Sequence, residues 1–74
     1  GVDAEVLEFK VSEKSKVVKK PIRDLDFPKG AIIGGVIRNG QGMITLGDFQ
    51  VEEGDHVVVF AMTEYIQKVE DFFK

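Results

Sequence analysis

Residues 31–46 read AIIGGVIRNGQGMITL, and this stretch decides the fold. Asn39-Gly40 lies between two apolar runs, and the dipeptide is typical of a two-residue type I′ β-hairpin, because both central residues need a positive φ. The β-branched run before it predicts a strand over residues 31–38, and residues 43–46 are the predicted return strand. Gly34-Gly35 within the first strand indicates a bulge or a close backbone approach.

Two further strands are predicted on either side of this hairpin. Residues 5–11 alternate apolar and charged side chains, the period-2 pattern of a strand with one buried face. Residues 52–55, Glu-Glu-Gly-Asp, predict a tight acidic turn that leads into a strand over residues 56–61. Residues 57–60 read Val-Val-Val-Phe without alternation, which predicts a strand buried on both faces in the middle of the sheet.

Two helices complete the predicted fold. Pro21 suits the first turn of a short helix over residues 21–25, and Pro28 ends it. Thr63 is the expected N-cap of a second helix, which carries an apolar stripe of Ile66, Val69, Phe72 and Phe73. The sequence therefore predicts one α+β domain over residues 1–74, a mainly antiparallel four-stranded sheet with two helices in the order β-α-β-β-β-α.

Composition limits the classes of partner and location. The 74 residues carry a net charge of −3, and nucleic acid is a poor partner because phosphate binding needs a basic surface. Cysteine is absent, which excludes disulfides and favours a reducing, intracellular location. The longest apolar runs fall far short of the ~20 residues that span a bilayer. Because a chain this short buries little surface, we expect self-association, and the start at Gly1 leads us to expect a fragment.

The residues offer no convincing catalytic set, and we do not expect an enzyme. His56 is the single histidine, and Ser12 and Ser15 have no base near them in sequence. Asp55 beside His56 is a conceivable orienting partner, but a hydrogen-bonded or solvated histidine at a strand edge is the simpler interpretation. The eight glycines form neither of the spacings that cradle nucleotide phosphates.

Carboxylates are concentrated in the predicted turns, where paired acids can bind a divalent cation through oxygen. The set lacks the ordered ligand spacing of a calcium loop, so solvated turn residues are the favoured interpretation, and a cation held between subunits stays open. These acids are Asp24, Asp26, Asp48, Glu52, Glu53 and Asp55.

The hairpin provides the candidate binding patch, Ile32, Ile33, Arg38 and Asn39. A guanidinium offers a planar fork to phosphate or carboxylate, and aliphatic side chains can enclose a base. The competing interpretation assigns Ile32 or Ile33 to the core and Arg38 to the solvated hairpin. Phe72 and Phe73, about 100° apart on a helix, leave open whether both pack or one serves an interface.

Taken in order, these motifs resemble the C-terminal domain of the RCK proteins, regulators of potassium conductance, also called the TrkA C-terminal domain. The resemblance covers nearly the whole chain. It is carried by VLEFKV at 6–11, PIRDL at 21–25, the hairpin through Asn39-Gly40, EGDHVVVF at 53–60 and the closing helix.

The resemblance implies a regulatory, ligand-sensing and dimerisation domain in potassium ion transport. In that family the domain follows a Rossmann domain, which would hold any NAD or ATP, so no cofactor is expected in this chain. The implied partners are a second copy and the cytoplasmic face of a potassium channel or transporter, which places the domain in the cytoplasm at the inner face of the membrane.

Some members of the family bind the second messenger cyclic di-AMP at the dimer interface. Carried over by resemblance, the ligand-binding residues would be Ile32, Ile33, Arg38 and Asn39. The alternative function is a ligand-free structural dimerisation domain attached to an antiporter or another membrane carrier.

Overall fold

The computed structural model describes residues 3–74, which form an antiparallel sheet covered on one face by turns, loops and one α-helix. The strands are β1 (Ala4–Lys10), β2 (Ala31–Arg38), β3 (Gln41–Met43) and β4 (His56–Met62). The helix α1 spans Ile66–Phe72. Single 3-10 turns lie at Lys16–Val18, Ile22–Asp24 and Thr63–Tyr65. The predicted α+β class and four-stranded antiparallel sheet are confirmed.

The sheet order is β1-β4-β2-β3, so β4 lies between β1 and β2 as predicted. Val57, Val59 and Ala61 of β4 face the core and are buried. The prediction that residues 57–60 are buried on both faces is wrong for the described chain, because Phe60 on the other face is 49% exposed. Within residues 3–74, the helix and turns cover one side of the sheet, and no described segment covers the apolar side chains of the other side.

The Asn39-Gly40 hairpin is confirmed, since φ is 51° at Asn39 and 79° at Gly40 and Arg38 pairs with Gln41. The predicted return strand over residues 43–46 is wrong in its bounds. Because the turn has two residues, pairing with β2 begins directly after Gly40, at Gln41. β3 ends at Met43, opposite Val36. The bulge predicted at Gly34-Gly35 lies next to this point on β2, between Ile33 and Gly35 in the pairing with β4.

The predicted helix over residues 21–25 is only the 3-10 turn Ile22–Asp24. The backbone amides of Ile22 and Arg23 donate to the carbonyls of Phe49 and Gly47. Asp26 follows at φ 48°, a left-handed conformation that no helix can continue through. The loop around residues 47–49 therefore holds this segment in place of further helical turns.

Thr63 is not the N-cap of the last helix. It opens the 3-10 turn Thr63–Tyr65, and no side chain of residues 3–74 caps either this turn or α1. Its backbone amide donates to the carbonyl of Asp3 at 2.9 Å. This bond extends the pairing of β1 and β4 by one residue, so the chain leaves the sheet directly into the turn.

The aromatic residues of the C-terminal segment both pack against the core. Phe73 is buried and stacks on Phe9 with ring centroids 4.3 Å apart, and Phe72 meets Phe27 edge-on at 5.1 Å. The buried Ser15 hydroxyl donates to the Phe72 carbonyl at 2.6 Å. Of the two interpretations of the adjacent phenylalanines, the one in which both pack is correct for the described chain. The buried core consists of Val11, Val17, Leu25, Ile33, Val36, Val51, Val57, Val59, Ala61, Val69 and Phe73.

Candidate functional site

The uncovered side of the sheet, here called the outer face, carries exposed apolar residues from three strands. Val6 and Ile32 are each 63% exposed, and Phe60 lies between them in the register of the sheet. Because cross-strand partners lie side by side on one face, the three form a continuous line, here called the apolar row. Half-buried Val58 and exposed Met62 lie on the same face of β4, on either side of Phe60.

Gly34 allows Phe60 to lie close to the strand backbone. A Cβ atom at Gly34 would be 2.3 Å from Cε2 of the Phe60 ring, which is closer than any real contact. The glycine of the bulge therefore provides the space that the ring occupies beside Ile32. The paired glycines that indicated a close backbone approach thus help to form the outer face.

Polar side chains lie at the edge of the outer face that is nearest to the hairpin. His56 Nδ1 lies 3.0 Å from Glu8 Oε2, and Lys10 is the register partner of His56. The structure pairs the histidine with Glu8, not with Asp55, which agrees with the simpler interpretation of a hydrogen-bonded strand-edge residue. No group of three or more potential metal ligands occurs among residues 3–74.

Arg38 and Asp55 form an ion pair at the base of the hairpin, in which the Asp55 carboxylate is buried and the Arg38 side chain is 23% exposed. Arg38 Nε donates to Asp55 Oδ1 at 2.9 Å and Nη2 donates to Oδ2 at 2.8 Å, while Nη2 also reaches the carbonyl of Gln50. Nη1 lies 3.2 Å from a carboxylate oxygen of Glu52. The interpretation of Arg38 as a solvated hairpin residue is therefore wrong, and so is that of Asp55 as a solvated turn acid, since Asp55 is 2% exposed.

The electrostatics of this pair follow from its hydrogen bonds. The bond from Arg38 holds the pKa of Asp55 below its ordinary value, although burial acts to raise it, and the Glu52 amide adds a second bond to the carboxylate. The same contact with Asp55 raises the pKa of Arg38. Both groups stay charged at neutral pH, and every guanidinium nitrogen has a partner within the chain.

The four residues of the predicted binding patch are not brought together within one chain. Ile32 lies on the outer face, whereas Ile33 points into the core, because neighbouring residues of a strand alternate between faces. Arg38 is held by Asp55, and Asn39 is exposed at the hairpin tip. Only Ile32 and Asn39 therefore offer their side chains freely to a ligand or partner.

The sequence interpretation missed Val6, Phe60 and Met62 as surface residues. The run at 57–60 predicts an interior strand, yet one signal in the sequence indicates the exposed side. In the period-2 pattern of β1, Val6 lies on the same face as the charged Glu8 and Lys10. An apolar residue on this otherwise polar face indicates the side of the sheet that the helix leaves uncovered.

Comparison with known proteins identifies the fold. The sequence-family model of the TrkA-C domain matches residues 6–74 of the chain. The chain belongs to the TrkA-C domain family. Within residues 3–74, this TrkA-C domain contains no helix with the length and apolar content needed to cross a membrane.

The relatives of this TrkA-C domain include larger potassium-uptake proteins. It is 47% identical over 74 residues to Trk system potassium uptake protein TrkA homolog 1 of Methanosarcina mazei, covering 100% of this chain and 16% of that protein. It is 43% identical over 70 residues to Trk system potassium uptake protein TrkA of Azorhizobium caulinodans, covering 95% of this chain and 15% of that protein. The chain thus spans less than a fifth of the length of these relatives.

A solved structure supports the same fold. The structure described as "RCK domain with cda" superimposes with a TM-score of 0.75 at 23% identity, covering 93% of this chain and 97% of that one. The agreement in architecture matches the RCK resemblance seen in the sequence.

Proposed function

We propose that this TrkA-C domain is a regulatory dimerisation domain of a potassium-uptake protein, in which two copies meet through their outer faces. The apolar row Val6, Phe60 and Ile32 carries the proposal. Contiguous exposed apolar patches on small domains mark interaction sites. A contact between the same patch on two copies is the commonest symmetry of soluble oligomers.

Burial of the apolar row supplies a driving force for this contact. Moving a Val, Ile or Phe side chain from full exposure to full burial contributes about 1.5–3 kcal/mol. Val6 and Ile32 are 63% exposed and Phe60 is 49% exposed, so only part of that gain is available for each residue of each copy. Part of that gain offsets the lost freedom of the two copies. We therefore expect a dimer whose arrangement responds to modest additional contacts, as a regulatory domain requires.

The test is sedimentation of the chain with charge introduced into the apolar row. Phe60→Glu is expected to give monomers at concentrations where the unmodified chain sediments as a dimer, because two carboxylates would face each other in an apolar contact. Leu46→Glu is the matched control, since Leu46 is 68% exposed but lies in the loop after β3. A monomeric unmodified chain, or equal dissociation of both variants, would contradict the proposal.

In the parent protein we infer a cytoplasmic position beside a potassium channel or transporter subunit. The relatives named as Trk potassium-uptake proteins support this role. An upstream Rossmann domain would bind any NAD or ATP, and the role of this domain is regulatory, not catalytic. A ligand changes such an assembly only if it binds two subunit arrangements with different affinity.

Ligand sensing is the finer part of the proposal, with a cyclic dinucleotide such as cyclic di-AMP bound between two copies near Ile32, Ile33, Arg38 and Asn39. The related RCK domain described "with cda" favours this class of ligand. Calorimetric titration with cyclic di-AMP tests it. Ile32→Ala and Asn39→Gly are expected to weaken binding, and the glycine keeps the positive φ of the turn. Unchanged affinity in both variants would show that cyclic di-AMP does not bind at these residues.

The second candidate function is ligand-free dimerisation in an antiporter or another membrane carrier. The hydrogen bonds of Arg38 within the chain favour this function, because the guanidinium must leave Asp55 before it can bind a phosphate. The two functions separate in the same titration. A dimer that gives no heat with cyclic di-AMP, ATP, NAD or divalent cations supports the structural role.

A further inference from the structure

A second surface, on the helix-covered side of the sheet, has features of a ligand site. It is an open cleft of about 470 Å³, here called the lysine cleft, which lies between the first 3-10 turn, the loop before β2 and the last helix. This volume falls in the range of small-molecule sites. Lys16, Lys29, Lys68, Phe27, Tyr65 and Phe72 are among the residues that line it.

Three lysines from three separate segments line the cleft, Lys16, Lys29 and Lys68. Lys16 Nζ lies 5.7 Å from the centroid of the Phe72 ring, and Lys68 Nζ lies 5.5 Å from that of Tyr65. Such contacts hold a cation over a ring face. None of the ion pairs within residues 3–74 involves Lys16, Lys29 or Lys68.

The carboxylates at the cleft do not balance this charge. Asp26 and Asp71 are the acids among its lining residues. Asp71 already pairs with Lys74 at 3.2 Å. The cleft is therefore locally positive on a chain whose net charge is −3, and this contrast points to an anionic ligand.

The walls of the lysine cleft are held in place by contacts between its lining residues and neighbouring segments. The Ser15 hydroxyl bonds to the Phe72 carbonyl, which ties the turn that carries Lys16 to the end of α1. Gly30 packs so closely on Tyr65 that a Cβ atom would lie 2.0 Å from its ring. The loop that carries Lys29 is thus held against the ring beneath Lys68, so the backbone that carries the lysines is in place before a ligand binds.

We propose that the lysine cleft binds a small polyanion with several linked phosphate groups. Lysine presents a compact charge with three donors, which suits phosphate oxygens in varied directions. The Phe72 and Tyr65 ring faces carry Lys16 and Lys68, so the recognised part is the phosphate chain and not an aromatic base. Inorganic triphosphate and the triphosphate of a nucleotide share this chemistry. The proposal is independent of the outer face.

The test is titration of the chain with inorganic triphosphate at low ionic strength. Binding is measured by calorimetry and by the change in melting temperature. We expect saturable binding of one triphosphate per chain and a rise in melting temperature. The double variant Lys16→Gln/Lys68→Gln is expected to weaken binding about tenfold, because each exposed ion pair with the ligand contributes a few-fold to the affinity. Lys14→Gln/Lys19→Gln removes the same charge outside the cleft and is expected to change affinity by less than about twofold.

Further measurements separate a site from general charge attraction. A nucleoside triphosphate is expected to bind with an affinity similar to that of inorganic triphosphate, and the Lys16/Lys68 variant is expected to sediment like the unmodified chain. Absence of saturable binding would overturn the proposal, as would equal weakening by the two lysine pairs. Binding of an acidic peptide without binding of triphosphate would also overturn it, because the cleft would then be a protein contact.

Discussion

The Asp55 carboxylate joins two loops that are far apart in sequence. It accepts hydrogen bonds from the Arg38 guanidinium at the base of the hairpin and from the Glu52 amide in the turn before β4. A buried charge is tolerated only when it is paired and hydrogen-bonded. The ion pair therefore fixes where the hairpin stands relative to the sheet, and with it the position of Asn39.

Replacement of Arg38 by alanine is expected to destabilise the fold. The variant leaves the Asp55 carboxylate buried without its cation, which costs about 3 kcal/mol. Chemical denaturation measures the change. Arg23→Ala is the control, because the Arg23 side chain is 60% exposed and lies 3.9 Å from Asp24, and loss of this contact should cost less than about 0.5 kcal/mol. Similar losses in both variants would contradict a structural role for the pair.

Stability is expected to fall in acid through Asp55. Its pKa is lower in the folded chain than in the unfolded chain, where it is about 3.9, so its contribution is complete at neutral pH and is lost as pH falls through the folded pKa. The free energy of unfolding, measured between pH 7 and pH 2, should decline more steeply for the unmodified chain than for Asp55→Asn. Parallel profiles would show that this carboxylate does not contribute.

At the scale of elements, local patterns in the sequence identify most of the sheet. Asn39-Gly40 specifies the hairpin because turn geometry depends on those two residues alone. β3 ends opposite Val36, next to the bulge that β2 forms in its pairing with β4, and no pattern within residues 41–46 marks that end. The partner of Arg38 was missed because it lies 17 residues away and is brought close only by the fold.

The loop before β2 depends on a glycine at its end. Gly30→Ala is expected to destabilise the chain by about 1–3 kcal/mol, because the new methyl group would overlap the half-buried Tyr65 ring. Gly42→Ala in β3 is the control, since nothing lies within 4 Å of a Cβ atom there. Thermal melting of the two variants checks this, and an unchanged melting temperature for Gly30→Ala would contradict the close packing.

At the scale of the whole molecule, the sheet is half covered. The core beneath it is complete, with all described buried side-chain polar atoms hydrogen-bonded. The outer face instead presents Val6, Ile32 and Phe60 to solvent. The sequence of β4 alone does not separate its two sides, because the exposed Phe60 is as apolar as its buried neighbours Val59 and Ala61.

Melting of the whole chain is expected to depend on its concentration. If two copies associate through the apolar row, mass action stabilises the folded state as concentration rises. Over an approximately hundredfold range the melting temperature should increase by about 5 °C or more for a domain of this size. Phe60→Glu should melt at a constant temperature, and a constant value for the unmodified chain would contradict association.

The position of β4 between β1 and β2 has a consequence for biosynthesis. While a ribosome has translated only as far as the hairpin, β1 and β2 have no neighbour to bond with except for the short β3, since they do not pair with each other. The sheet can assemble only after His56–Met62 has emerged from the exit tunnel. We therefore expect the nascent polypeptide to stay open until this late segment inserts, and contacts of such long sequence separation make folding slow for a chain of this size.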